Sequence, residues 1–291
     1  MGRPPGRADR SAQEAGGGFW GRMQGIPRYY IHLLLAGVVV WQLLAPISMP
    51  IAPSAATQGV YDAIAAVPDD KLIVISADWD ASTQAETGPQ TQAIVQACLR
   101  EGKRFALMSL GAPMGIRLAH EIAQEAAREH GAEYGVDWCN WGYKYGYGNV
   151  LMALAKDIPR AVGSDFYGTP VAELPMMEGV TDIRGIGLVI EVTGLAAITE
   201  IWLGLIQGPY GTPLASAYTA VMAPGYYPYL DSGQMQGMLV GAKGAAEMEA
   251  LVERPGKAVA VMNVQSWAHV LIIALIVIGN AGYVLAGRRR R

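Results

Sequence analysis

The chain has 291 residues, enough for one large domain or two small ones, and is 52% apolar and only 16% charged, greasier than an average soluble protein. Its formal net charge of −3 conceals a strong asymmetry. Nine arginines sit at the two ends (Arg3, Arg7, Arg10, Arg22, Arg28 and Arg288 to Arg291), leaving 13 basic against 23 acidic residues between them, a balance near −10. So acidic a middle excludes a nucleic-acid partner.

Residues 1–28 are rich in Gly, Arg and Pro without apolar period, which predicts a disordered basic arm. Ile31 to Ala45 then form a continuous apolar run, IHLLLAGVVVWQLLA, extended by PISMPIA. Two readings compete. The run is a signal anchor, a transmembrane helix over 29–52 loosened at its outer end by Pro46, Pro50 and Pro53. Otherwise it is a signal peptide cut near Ser54-Ala55-Ala56. The prolines and Trp41 give no clear cleavage site, which favours the anchor. Both place the middle of the chain outside the cytoplasm. His32 within the run is expected at the membrane interface.

Residues 53–70 are expected to be a linker with a short helical piece, GVYDAIAAV, before an extracytoplasmic domain over 71–254. KLIVISA is a short β-branched run that suits a buried parallel strand. Gly88-Pro89 is expected to open a helix with Pro at its first position, closed by Gly102. KRFALMSL is the second strand. Pro113 to His130 reads as an amphipathic helix with Ile116, Ala119, Ile122 and Ala126 on one face, ended by Gly131. GIGLVIEV is a further strand, followed by the helix AAITEIWLGLIQ and its stop at Gly208. TPLASAYTAVMA is the next strand, and a last helix is expected from Tyr229 to Val252. The fold class is therefore α/β, a doubly wound, mostly parallel sheet of about five strands, flanked by N- and C-terminal transmembrane helices. Trp267 to Leu285 carry no charged side chain over nineteen residues, enough for a transmembrane helix over 264–286. The basic tail 287–291 then holds that end in the cytoplasm. This layout puts the chain in the cell (inner) membrane, with two spans and both termini cytoplasmic.

Ligands of open parallel sheets bind beyond the strand C-termini. The first such loop reads SADWDASTQAE. Asp78 and Asp80, spaced i, i+2 after a strand, resemble the nucleophile and general acid of haloacid-dehalogenase-type phosphatases. That resemblance implies Ser109 as the phosphate-binding hydroxyl and Lys144 or Lys156 as the balancing charge. The chain departs from the pattern at Ala81 and Ser82, where glycine and threonine are usual, and Asp165 and Asp182 stand alone where an acidic pair would hold Mg²⁺. On the simpler reading, Asp78 and Asp80 cap a turn. No GxSxG elbow occurs. His120 and His130 lie ten positions apart on one helix and are expected to be surface or capping residues. Cys98 and Cys139 are expected as buried thiols, a disulfide being open to them only in an oxidising space. No metal or cofactor is expected, since no CxxC or Cys/His cluster occurs.

The stretch EYGVDWCNWGYKYGYGNV crowds Tyr134, Trp138, Trp141, Tyr143, Tyr145 and Tyr147 among four glycines, with a helix beginning at Asn149. It suits loops packed on the sheet edge, a protein or membrane-surface contact, or an anion cradle beside Lys144. In YLDSGQMQGMLVGAKGAAEMEAL, Gly233, Gly237, Gly241 and Ala245 recur every four residues. On one helix they make a smooth stripe, for packing on the domain's own sheet or for a helix pair between subunits.

SADWDASTQAETGP, EYGVDWCNWGYK, GSDFYGTPVAELPMMEGV and YLDSGQMQGMLVGAKGAAEME together resemble the recurring blocks of an uncharacterised family of prokaryotic two-span membrane-anchored α/β proteins. The resemblance implies the two-anchor layout and the α/β domain, and it carries over no catalytic residue. The functional expectation is a non-enzymatic subunit or scaffold of a membrane-bound assembly, homo-oligomeric or joined to other subunits. Its contacts would be Trp138, Trp141, Tyr143, Tyr145, Tyr147, Gly233, Gly237 and Gly241. The alternative is a small-ligand sensor or phosphatase-like hydrolase, gathering Asp78, Asp80, Glu86, Ser109 and Lys144 around one pocket.

Overall fold

The computed structural model of the chain describes residues 27–45, 47 and 49–288, and the chain divides into two compact units. Residues 1–26 of the arm expected over 1–28, and residues 289–291 of the tail expected over 287–291, lie outside the described residues.

One unit joins residues 1–49 with 260–291. Its N-terminal helix, Arg28–Leu44, has 17 residues. At 1.5 Å per residue it rises about 25 Å, short of the roughly 30 Å of a hydrocarbon core. The helix is thus shorter than the span expected over 29–52 and by its length alone is not a clear span. The C-terminal helix runs Lys257–Arg288, longer than the expected 264–286, and its Lys257–Val284 portion is long and apolar enough to cross a membrane. Ile273, Ile276 and Val277 of this helix, like Leu33 and Leu43 of the other, are exposed. Within the unit the rings of Trp41 and Trp267 meet edge to face at 5.6 Å. The Trp267 indole donates to the Ile47 carbonyl at 3.1 Å, and the Met49 N–H donates to Asn263 Oδ1 at 3.1 Å.

The other unit, Pro50–Val259, holds the α/β domain. Its elements in order are α1 (Ala55–Ala65), β1 (Leu72–Asp78), α2 (Gln84–Arg100), β2 (Phe105–Ser109), α3 (Pro113–His130), β3 (Trp138–Tyr143), α4 (Gly148–Leu154), α5 (Ile158–Val162), β4 (Ile186–Thr193), α6 (Ile198–Trp202), α7 (Gly208–Tyr210), β5 (Leu214–Tyr218), α8 (Tyr227–Asp231), β6 (Met238–Val240) and α9 (Gly241–Leu251). The six strands form one sheet in the order β3-β2-β1-β4-β5-β6, every neighbouring pair parallel. This is the strand order of Rossmann-type sheets, and it reverses between β1 and β4. All seven residues of β1 are buried, which is why it opens on the continuous apolar run LIVI rather than an alternation, with Ser76 and Asp78 buried at its C-terminal end.

The strands send alternate side chains to two cores. Ile73, Ile75, Leu107, Ile190 and Ala217 pack under α1, α2, α3 and α9 through Val60, Ile94, Ala119 and Met248. Val74, Met108, Trp141, Val189 and Tyr218 pack under short helices and turns, through Leu151, Ile158, Met176, Trp202 and Ile206. Cys98 belongs to the first core and Cys139 to the second, so the sheet separates them and both are free thiols.

Several expectations are corrected. Residues 53–70 include α1, which packs Thr57, Val60 and Ile64 into the domain instead of serving as a linker. The helix expected to open at Pro89 begins five residues earlier and carries that proline inside it. WCNWGY forms β3, and MLV forms β6. The single helix expected from Tyr229 to Val252 is thus a helix, a turn, a strand and a second helix. Gly233 (φ 77°), just past the end of α8, and Gly241 (φ 56°), at the start of α9, take left-handed backbone, which belongs at a helix boundary rather than along a helix face. Gly237 serves a different close approach: a Cβ there would lie 2.2 Å from the Val60 N, and one at Gly59 would lie 2.3 Å from the Gln236 carbonyl. The glycines let the backbone of α1 cross against the residues that enter β6.

Two buried carboxylates of α9 fix the ends of this unit. Glu247 Oε2 accepts from the Ser54 N–H (3.1 Å), Ser54 Oγ (2.7 Å) and Thr57 Oγ1 (2.7 Å). Glu249 accepts from the N–H groups of Gly256 (2.8 Å), Ala258 (3.0 Å) and Val259 (2.8 Å). The second set is the open N-terminal turn of the C-terminal helix, whose free donors favour a carboxylate.

Candidate functional site

The reversal between β1 and β4 directs attention to the loops at their C-terminal ends. β1 finishes on Asp78, fully buried, whose carboxylate accepts from Ser76 Oγ (2.5 Å), Ser109 Oγ (2.9 Å) and the N–H groups of Leu110 and Gly111 (both 2.7 Å). Burial holds its pKa above the ordinary value against the pull of these bonds. The carboxylate replaces missing backbone partners where β2 stops and its loop turns. Protein atoms fill the neighbouring space. A Cβ on Gly194 would lie 2.5 Å from Thr83 Oγ1, one on Gly111 would lie 2.9 Å from Leu195 Cδ1, and one on Gly115 would lie 2.1 Å from the Trp79 carbonyl.

Of the side chains of the five residues expected to gather, the structure brings only those of Asp78 and Ser109 into contact, while the Lys144 N–H donates to the Ser109 carbonyl at 2.8 Å. Asp80 is half-buried and closes a turn, accepting from the Ser82 N–H (2.8 Å) and Ser82 Oγ (2.6 Å), bonds that lower its pKa. Glu86 reaches the loop after β5 and accepts from the Ala220 N–H at 2.7 Å. Lys144 turns its Nζ to the carbonyls of Val162 (2.7 Å) and Ser164 (3.3 Å), and burial lowers its pKa. Each polar head is engaged in holding a loop. Among the described residues no three of His, Cys, Asp or Glu come together as a metal set.

The aromatic stretch splits. Trp138 and Trp141 are buried, and Trp138 stacks on Phe105 at 6.0 Å, so neither offers a contact surface. Beyond the strand the chain surfaces: Tyr145 is 84% exposed and Tyr147 41%, the latter at a left-handed φ of 46°. Tyr143 lies half-buried beside them, its pKa raised by burial and by Tyr147 and Tyr145. Phe166 and Tyr167, on the loop after α5, are exposed as well.

Two buried groups escaped sequence reasoning. His120, expected at the surface, is instead buried among aromatic rings, stacked on Phe166 at 4.2 Å and near Trp138 at 5.4 Å. Asn140 fixes its tautomer. The Asn140 Oδ1 accepts from the Gly142 N–H at 2.7 Å, so its amide NH₂ faces His120 Nδ1 at 3.3 Å. Nδ1 then accepts, and Nε2–H donates to the Tyr167 hydroxyl at 3.0 Å. A ring that gives its proton to Tyr167 does not act as that hydroxyl's base, and the group serves to latch the loop. Burial lowers the His120 pKa. The second group is Glu191, fully buried within β4. Its Oε2 lies 2.5 Å from Thr199 Oγ1, which in turn lies 3.0 Å from the Tyr218 hydroxyl. Its Oε1 has no hydrogen-bond partner. The signal was present, since GIGLVIEV carries one charged residue inside an otherwise apolar run.

Fold and site together define a Rossmann-ordered α/β domain whose strand-end carboxylate is committed to loop structure, on a chain with one C-terminal helix apolar enough to cross a membrane. Comparison with known protein families, with characterised proteins and with solved structures finds no match.

Proposed function

We propose that this chain is a membrane-anchored, extracytoplasmic α/β protein that acts as a non-enzymatic subunit of a membrane-bound assembly. The observation that carries the reading is the loop after β3. It projects Tyr145 and Tyr147 into solvent while the neighbouring polar groups at the strand ends are taken up in bonds to their own loops. Tyrosines that present large, rigid area and keep a polar tip suit a protein contact. With the glycine stripe and the buried Trp138 and Trp141 set aside, Tyr143, Tyr145 and Tyr147 remain of the expected contact set. The arginine clusters outside the apolar segments support two spans with both termini cytoplasmic. The resemblance to two-span membrane-anchored proteins agrees with that layout.

Native mass spectrometry after detergent extraction tests the assembly. A homo-oligomer or a complex with other subunits is expected, and replacing Tyr145 and Tyr147 together by serine should release the monomer. A wild-type chain that is strictly monomeric and without partners would overturn the reading. Protease added to intact cells should digest the domain if it faces outward.

A sensor or hydrolase at the strand ends is the second reading, motivated by the buried Asp78–Ser109 contact and the raised Asp78 pKa. It requires stabilisation of the chain by a phosphorylated or sugar-like ligand in a thermal-shift panel, lost in Ser109→Ala.

A further inference from the structure

The bonds around Glu191 have a direction, and that direction depends on one proton. Four groups lie in sequence: the Glu191 carboxyl, Thr199 Oγ1 at 2.5 Å, the Tyr218 hydroxyl 3.0 Å beyond it, and Met235 Sδ a further 3.5 Å on. Each hydroxyl owns a single hydrogen. If Glu191 is the neutral acid, its O–H donates to Thr199, Thr199 donates to Tyr218, and Tyr218 donates to the sulfur. Three hydrogens then make three bonds. If Glu191 is ionised, Thr199 must donate back to the carboxylate. The Tyr218 hydrogen can then serve either Thr199 or Met235, and one bond is lost.

The surroundings favour the first arrangement. Glu191 lies opposite Ser76 of β1 and Ser216 of β5 across the ladder. The titratable groups that face it are Asp78 from β1, Glu200 from α6, Tyr218 from β5 and Tyr226 from the turn that follows β5. Two are acids, two are phenols, and none can supply a positive charge. Carboxylate oxygen Oε1, without a partner, would be left as a bare buried anion on ionisation, whereas in the neutral acid it is a carbonyl. Burial pushes this carboxyl well above the usual range, with the Asp78 and Glu200 charges adding to the effect.

Thr199 belongs to α6, which runs directly into a π turn, Leu203–Gln207, and then into α7. A π turn widens the helix and interrupts its regular bond ladder, a place where a helix yields. The π turn also meets the start of α4, directly after the tyrosine loop, since a Cβ on Gly148 would lie 2.8 Å from Leu205 Cδ1.

We propose that Glu191 is a proton-binding site that, as the neutral acid, heads a one-way hydrogen-bond chain through Thr199 and Tyr218 to Met235, and that once its proton is lost to solvent the bare carboxylate oxygen Oε1 is hydrated by opening of the segment Ile198–Tyr210, which carries Thr199, away from the sheet. The device does not depend on what the tyrosine loop binds. It makes the fold sensitive to alkalinity on one face only.

Hydrogen–deuterium exchange of the full chain in detergent, corrected for intrinsic exchange, tests it between about pH 5 and about pH 9. Peptides over Ile198–Tyr210 should lose protection as pH rises, by tenfold or so (~1.4 kcal/mol of opening), while peptides over β1 and β2 stay level. In Glu191→Gln the amide donates to Thr199 at every pH, so the same peptides should stay protected throughout. In Thr199→Val they should be open throughout. A pH-dependent loss that persists unchanged in Glu191→Gln, or protection that rises with pH in the wild type, overturns the proposal. If Glu191→Gln does not fold, infrared titration of the wild type decides. The carbonyl stretch of a buried protonated carboxyl should disappear as those peptides open, and its absence even at the acid end overturns the idea.

Discussion

The two faces of the sheet are built on different terms. One lies under four regular helices, α1, α2, α3 and α9, and is filled with Ile, Val, Leu and Ala side chains such as Ile73, Ile94, Ala97 and Ala119. The other lies under short helices, 3₁₀ turns and a π turn, and its core mixes Trp141, Trp202 and Met176 with the buried polar groups of Glu191, Thr199 and Tyr218. The indole N–H groups of Trp141 and Trp202 have no hydrogen-bond partner there. Close packing of apolar helices gives a face that resists change, because any volume lost leaves a cavity that neighbours cannot fill. Irregular cover over polar groups gives a face that can rearrange. Stability belongs to the first face and adjustable behaviour to the second.

Substitutions can break or sharpen this contrast. The largest effect is expected at the seam, in Asp78→Ala, which strips partners from Ser109 and from the N–H groups of Leu110 and Gly111. Each orphaned buried donor costs about 1–3 kcal/mol, so a loss of about 4 kcal/mol is expected in urea denaturation. Next, Ile94→Ala on the inner face of α2 should cost about 3–4 kcal/mol, whereas Ile206→Ala within the π turn should cost about 2 kcal/mol, because its surroundings collapse more readily. Equal costs would end the comparison.

The pH dependences of the two buried groups should oppose each other. The Glu191 pKa is raised in the folded chain, so its contribution is full below the unfolded carboxyl pKa and is lost as pH climbs toward the folded value. The His120 pKa is lowered, so stability falls as pH drops through the unfolded histidine pKa toward the folded one. Thermal melts across pH should therefore flatten on the alkaline side in Glu191→Gln and on the acid side in His120→Gln. The smallest effect is expected for Tyr145→Ala, within about 0.5 kcal/mol of wild type in the same melts. A larger loss would make that side chain part of the protomer's own packing and not a contact surface.

Much of the regular face was legible because its elements obey one period each. KLIVISA matched a strand buried on both sides, and the amphipathic run Pro113 to His130, closed by Gly131 at φ 69°, was found with its boundaries. The misses cluster where one local rule met a longer-range one. The four-residue spacing of Gly233, Gly237 and Gly241 looks helical. The backbone at those glycines is set by turns and by the crossing of α1, which periodicity cannot show. β3 was hidden by its glycine and polar content, although aromatic residues favour strands. At the candidate site, sequence order placed Asp78 and Ser109 correctly at strand ends. It could not show that their polar atoms are used up by loop backbone, because those partners come from residues 31 to 33 positions away. His120 was misplaced because its burial is supplied by Phe166 and Tyr167, more than forty residues further on.

Glu247 and Glu249 sit two positions apart on α9, one gripping the segment where the domain begins and the other the segment where it ends. Any tension that reaches either terminus of the domain is therefore delivered to the same short helix. A pull on either strap first meets bonds to α9, by Glu247 at one end and by Glu249 at the other, before it reaches a strand.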